Sequence, residues 1–212
     1  MQVEIYSDTV CPWCFIGKRR FELARQQRPH LDIEVCWRAF ELNPELAPDG
    51  MDRDQYLMGK FGDAGRLQEM HEQLRATGAA LGIEFRFDLI RRMPNSRASH
   101  ALLAFAAVQA RQNDISEALF SAYFEQGRDL GDPDVLVDLS SRQGFEGAEV
   151  RRALHDPQLR AEVLAAEKLA REWGLTGVPT FIFERRYAVS GAQSPEVFMQ
   201  LFDRLAVPVV SA

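Results

Sequence analysis

Three cysteines in 212 residues are too few for a disulfide framework. Histidine is as sparse: His30, His71, His100 and His155 stand apart, and none forms a paired ligand motif. A structural zinc site takes about four ligands, usually from two closely spaced pairs, so no metal is expected. No apolar run approaches the ~20 residues of a membrane span, and no membrane association is expected. Basic residues are not clustered. The 25 Lys and Arg are spread along the chain against 31 Asp and Glu, giving a net charge of −6 and a pI near 5.3. That distribution offers nucleic acid no electrostatic footprint. The first residues, Met1-Gln2-Val3-Glu4-Ile5, have neither a basic n-region nor an apolar h-region, so the expected location is cytoplasmic. There is no internal repeat and no low-complexity segment.

What remains is an ordinary globular composition, 46% hydrophobic and 26% charged, of a length that suits one domain or one domain with a large insertion. Its most informative feature is Cys11-Pro12-Trp13-Cys14, just after a short apolar strand over Val3 to Tyr6. Two thiols at this spacing meet across one helical turn and can cycle between dithiol and disulfide with little backbone movement. The thiolate is the attacking species, and a helix start favours it through unpaired N–H groups and the helix dipole. Pro12 suits the first helical position. The expectation is an exposed, attacking Cys11 and a resolving Cys14 one turn inside. A bare C-x-x-C has two other readings, half of a zinc site or an inert structural pair. In a reducing compartment a catalytic pair is expected over a staple.

The first 45 residues read strand–helix–strand. The helix spans 12–28, with Phe15, Ile16, Leu23 and Ala24 as core positions, and stops at Pro29. Residues 31–37 alternate, with Leu31, Ile33, Val35 and Trp37 on one face and Cys36 on the other. Cys36 is expected to be structural, a small hydrophobe in mid-strand. From 51 to 173 no strand pair is evident. Helices are expected over 65–81, after Asn95 or Ser96 as cap, after a capping box at Asp114 to Glu117, and after Asp132-Pro133 and Asp156-Pro157. Ile83 to Leu89 reads as a short extended stretch. The last of these helices carries Leu159, Val163, Leu164, Leu169 and Trp173 as its apolar positions and ends at Gly174. From 175 the pattern turns β-rich. Gly177-Val178-Pro179 leads into Thr180 to Phe183, a two-residue Arg185-Arg186 turn, and Tyr187 to Ser190. Ser194-Pro195 then caps a final helix with Val197, Phe198, Leu201 and Leu205.

This order is α/β: βαβ, a helical middle, then α, ββ, α. With a C-x-x-C opening the first helix and Val178-Pro179-Thr180 before the hairpin, it resembles the thioredoxin fold. The helical insertion makes it similar to the DsbA family. Ser7-Asp8, residues 37–44, Pro94-Asn95-Ser96 and residues 189–193 resemble the FrnE-like branch. The boundaries expected are 1–50 and 156–212 for the two parts of the thioredoxin fold and 51–155 for an all-helical insertion domain. The resemblance implies a thiol–disulfide oxidoreductase. Cys11 and Cys14 would be catalytic, and Pro12, Trp13, Val178, Pro179 and Asn95 would be substrate-binding. It implies a cis bond before Pro179, which sets the Val178 backbone beside the cysteines, where an extended peptide or glutathione can pair with it. No metal or organic cofactor is implied, because the disulfide is the redox group. Glutathione is a candidate co-substrate, and the partners expected are protein or small-molecule thiols and disulfides.

Trp13 has two readings, a contact surface for a thiol-bearing partner or packing on its own domain. Asp8 is not expected to favour the Cys11 thiolate, since a nearby carboxylate opposes it. His100 is read as a satisfied helix histidine rather than a base. Two other functions fit the pattern. One is a glutathione-dependent transferase or isomerase of the kappa or 2-hydroxychromene-2-carboxylate isomerase type, which usually has serine at the position of Cys11. The other is a chaperone-like binding protein whose insertion lines an apolar groove with Phe105, Phe120, Tyr123 and Phe124. The sequence leaves substrate, redox direction and oligomeric state open.

Overall fold

The computed structural model describes residues 1–206. Its elements run β1 (Gln2–Ser7), α1 (Pro12–Gln26), β2 (Glu34–Ala39), β3 (Met51–Asp52), α2 (Arg53–Phe61), α3 (Ala64–Ala79), β4 (Arg92–Met93), α4 (Arg97–Ala107), α5 (Gln112–Phe124), α6 (Pro133–Arg142), α7 (Gly147–Leu154), α8 (Pro157–Glu172), β5 (Thr180–Phe183), β6 (Tyr187–Ser190) and α9 (Pro195–Ala206). The main sheet has the order β2-β1-β5-β6. β1 pairs parallel with β2 and antiparallel with β5, and β5 pairs antiparallel with β6. β1 is buried on both faces from Val3 to Ser7, as a central strand between covering layers must be. This is a thioredoxin-like α/β fold with helices inserted between β2 and β5.

Helix α1 lies at the centre. Phe21 meets Phe181, Phe198 and Phe202 at ring-centroid distances of 5.4, 5.4 and 5.6 Å, so this end joins the sheet to α9. Phe15 stacks on Phe120 at 5.2 Å and meets Phe85 edge-on at 6.1 Å, so the other end joins the insertion. Lys18, 2% exposed, forms ion pairs with Glu22 and, at 2.8 Å, with Glu117 of α5. One apolar cluster runs from Val3 and Phe181 through Phe15 to Leu136 and Val150.

Several expectations are corrected. β2 starts at Glu34, because residues 28–31 close a turn with the Leu31 N–H on the Arg28 carbonyl, and pairing with β1 begins at Gln2↔Glu34. Leu23 is 39% exposed, and Phe21 takes the core position. Residues 51–52 and 92–93 do pair, as a short antiparallel ladder. α5 begins at Gln112, so Asp114 is already helical and pairs with Arg111, while Glu117 turns to Lys18. The earlier start is fixed by the Gln112 side chain, which bonds both the N–H and the carbonyl of Trp37. Residues 83–89 form no strand, although Ile83, Phe85 and Phe87 are buried. On α8 the buried face is Leu159, Val163, Glu167 and Ala170, leaving Leu164, Leu169 and Trp173 outside. α9 buries Phe198 and Phe202 and exposes Val197. The hairpin turns at Glu184 and Arg185, both with positive φ near +50°. Such a turn matches strand twist, and the Glu184 carboxylate is held by the Gln2 N–H at 2.8 Å. The caps at Asp132 and Asp156 are as the sequence predicts, and the N-cap position of α4 is Ser96, but the side-chain bond comes from Asn95, whose Oδ1 accepts from the Arg97 N–H at 3.0 Å.

Candidate active site

β1 delivers the chain into a tight loop, Asp8 to Val10, closed by the Cys11 N–H on the Asp8 carbonyl at 3.1 Å. Cys11 is the N-cap of α1, with extended φ and ψ, and Pro12 follows at the first helical position. The Cys14 N–H returns to the Cys11 carbonyl at 3.0 Å. Both thiols are free. Cys11 is not exposed, contrary to expectation: it is 4% exposed and Cys14 1%. Inserted helices and the 177–178 loop cover the position that an isolated βαβ unit would leave open. Cys11 nonetheless lines a cavity of about 280 Å³, together with Pro12, Trp13, Gly177 and Val178.

The Val178–Pro179 bond is cis, and the Cys11 Sγ lies 3.7 Å from the Val178 carbonyl oxygen, to which it donates. The Pro179 carbonyl accepts from the Gly191 N–H at 2.8 Å, and the Gly177 carbonyl from the Thr180 hydroxyl at 2.9 Å. Gly17 on α1 permits this approach, since a Cβ there would stand 2.9 Å from Pro179 Cγ.

Burial pushes the Cys14 thiol well up from its ordinary range, and the adjacent Cys11 adds to this; the Ser7 hydroxyl and the Asp8 backbone act the other way. Asp8 is wholly buried and braces the loop. Its carboxylate accepts from the Leu42 N–H at 2.7 Å and the Val10 N–H at 3.4 Å. His100 faces it, Nε2 to Oδ1 at 3.4 Å, but that nitrogen makes no aligned hydrogen bond among the described residues, so the histidine is not satisfied at this atom, contrary to expectation. Cys36 is half-buried beside Arg38 and Glu4 on the sheet, away from the pair; burial raises its thiol, and Arg38 opposes this. Asn95 is not brought to Cys11. Its amide caps α4 and donates to the Leu46 carbonyl at 2.7 Å, beside a different cavity with Pro48 and Arg160. Among the described residues no group of three His, Cys, Asp or Glu converges to hold a metal.

Tyr123 and Phe124, two of the residues expected to line an apolar groove, line the Cys11 cavity, whereas its far wall was not foreseen. It comes from α2, α3 and the 83–93 segment: Arg53, Tyr56, Lys60, His71, Phe87 and Ile90. Only the alternation of Ile83, Phe85 and Phe87 signals a buried segment there. Nothing in the local pattern distinguishes Arg53 from a surface arginine.

A model of the DsbA-like thioredoxin domain matches residues 2–203. The chain belongs to this family. YwbO of Bacillus subtilis is 29% identical over 199 residues, 93% of this chain and 94% of that one. The crystal structure of the probable DsbA oxidoreductase SCO1869 from Streptomyces coelicolor superposes with a TM-score of 0.89 at 36% identity, covering 100% of this chain and 94% of the other. The cytosolic disulfide reductase DsbM from Pseudomonas aeruginosa, solved with GSH, shares the fold at 20% identity and a TM-score of 0.70, over 97% and 98% of the two chains. In this DsbA-like chain no helix among the described residues is long and apolar enough to cross a membrane.

Proposed function

We propose that the protein is a thiol–disulfide oxidoreductase of the FrnE-like branch, acting through the Cys11–Cys14 pair in a reducing, cytoplasmic setting. One observation carries the reading: two free thiols one helical turn apart, with Cys11 opening onto a cavity and its sulfur against the Val178 carbonyl. Cys11 attacks one sulfur of a substrate disulfide, the other leaves as a thiolate, and a mixed disulfide remains. Cys14 then attacks Cys11 Sγ, releases the second thiol and closes the intramolecular disulfide. Two electrons pass to the substrate, and the two thiol protons end on the two products. Burial favours the protonated form of Cys14 in the free dithiol. Pro12, Trp13 and Val178 border the reacting sulfur, and Pro179 sets the Val178 main chain. Low-molecular-weight thiols, glutathione among them, are the reading's co-substrates.

The test equilibrates the protein in glutathione redox buffers. The expected result is a reversible Cys11–Cys14 disulfide, lost in Cys11→Ala, with Cys14→Ala accumulating the mixed disulfide. A potential near or below about −250 mV assigns a reductant, and one nearer −150 mV an oxidant. No disulfide in any buffer overturns the reading.

A further inference from the structure

The Cys11 cavity has a charged end that the exchange chemistry leaves unused. Arg53, at the start of α2, is 8% exposed and lines the same cavity as Cys11. Its polar partners are neutral: Nη1 donates to the Phe87 carbonyl at 3.4 Å, and Nη2 lies 3.3 Å from His71 Nε2. Among the described residues no carboxylate ion-pairs with it; Asp54, next in the chain, is exposed. Burial, Arg53 and Arg75 push the His71 imidazole down to about 4, so it is neutral at pH 7 and accepts from Arg53 without adding charge. Lys60 also lines the cavity, and its Nζ donates to the Tyr56 hydroxyl at 2.6 Å. Arg53 also lies over the Phe87 ring at 5.6 Å, as does Arg75, which is exposed and does not line the cavity. In a chain of net charge −6, this is a locally cationic end on an otherwise apolar chamber of Leu57, Leu74, Phe87, Ile90 and Phe124.

A guanidinium buried without a counter-ion is costly, and an oxyanion completing it regains charge-assisted, two-pronged hydrogen bonds. The volume, about 280 Å³, lies below the roughly 300–1,000 Å³ of drug-sized pockets, so the occupant is one small group. Resting on the oxidoreductase reading, we propose that the chamber between Cys11 and Arg53 takes a low-molecular-weight disulfide or thiol with an apolar, ring-sized body and a carboxylate held by Arg53. Cys11 attacks the sulfur of that half: the S–S bond breaks, the other half leaves as a thiolate, and Cys14 releases the bound half as a thiol. The dithiol supplies both electrons, so a single turnover requires no further reductant.

The test uses the reduced full-length protein and two aryl disulfides of similar size, para-dithiodibenzoate (anionic) and para-dithiodipyridine (neutral). Stopped-flow absorbance follows thiol release, and each rate is normalised to that with free dithiothreitol. The normalised anionic-to-neutral ratio is expected to be about tenfold or more in the native protein, to fall about tenfold in Arg53→Gln, and to fall less far in Arg53→Lys, which keeps the charge but not the two-pronged bonds. A native ratio near one, or a ratio unchanged by Arg53→Gln, overturns the inference. Should Arg53→Gln fail to fold, competition in the native protein decides. Benzoate is expected to slow the reaction with para-dithiodipyridine, and benzyl alcohol at the same concentration is not; equal effects overturn the inference. If neither disulfide oxidises the Cys11–Cys14 pair, the oxidoreductase reading itself falls. Rapid reaction of both at a ratio near one removes only the carboxylate site.

Discussion

Cys11 and Cys14 stand one helical turn apart but face different surroundings. Cys11 looks into the cavity, whereas Cys14 packs against Ser7 and the loop of Asp8, where burial disfavours its thiolate. Nearby, His71 stacks on Phe87 at 4.3 Å and accepts from Arg53, which makes its neutral form part of the folded structure. Its folded pKa, about 4, lies below the ordinary 6.5. Between these values the unfolded chain binds the proton more readily, so this contribution is complete above pH 6.5 and is lost as pH falls through 4. Because the ring is only half-buried, solvent screening limits the loss to the order of 1 kcal/mol. Urea midpoints at pH 7 and pH 4.5 test this: His71→Gln is expected to show a smaller acid loss than the native protein, and an equal loss refutes it.

At the scale of the element, α1 carries the construction. Its outer face is cheap to change and its inner face is not. Phe21 is 2% exposed within the Phe181, Phe198 and Phe202 cluster, so Phe21→Ala is expected to cost about 3–5 kcal/mol. Leu23→Ala, two residues on but 39% exposed, is expected to change stability by less than about 1 kcal/mol. Chemical denaturation of the two variants measures the contrast, and similar costs count against this account of the core. Phe15, Ile16 and Ala24 of the buried face of α1 were legible in the sequence, but the choice between Phe21 and Leu23 was not, because both are apolar and only the positions of β5 and α9 choose between them. On α8 the same ambiguity leaves open which of Leu159, Val163, Leu164, Leu169 and Trp173 are buried, and packing on β2 and α4 selects the Leu159, Val163 and Ala170 stripe.

For the whole molecule, the proposed parts (1–50 with 156–212, and 51–155) share one apolar cluster. Phe15 reaches Phe120, and Lys18 reaches Glu117, across the boundary between them. The parts are therefore expected to unfold together. Tryptophan fluorescence, reporting Trp13, Trp37 and Trp173, and far-ultraviolet circular dichroism are expected to give coincident urea transitions. Separate midpoints argue for independently stable parts.

The order of the elements in the two thioredoxin-fold parts and the placement of the cysteine pair follow from the sequence, whereas α2, α7 and the β3–β4 ladder of the insertion do not. C-x-x-C spacing, Pro12, the Asp-Pro caps and the β-rich run after Gly177 act over a few residues, and local conformation decides what they do. Tertiary structure alone decided that Cys11 is buried, that Asn95 serves α4 instead of the cysteines, and that Arg53 faces their cavity. Those outcomes depend on how α2, α3 and the 83–93 segment pack over the start of α1. Contacts of that kind join residues tens of positions apart, and no periodicity in the chain encodes them.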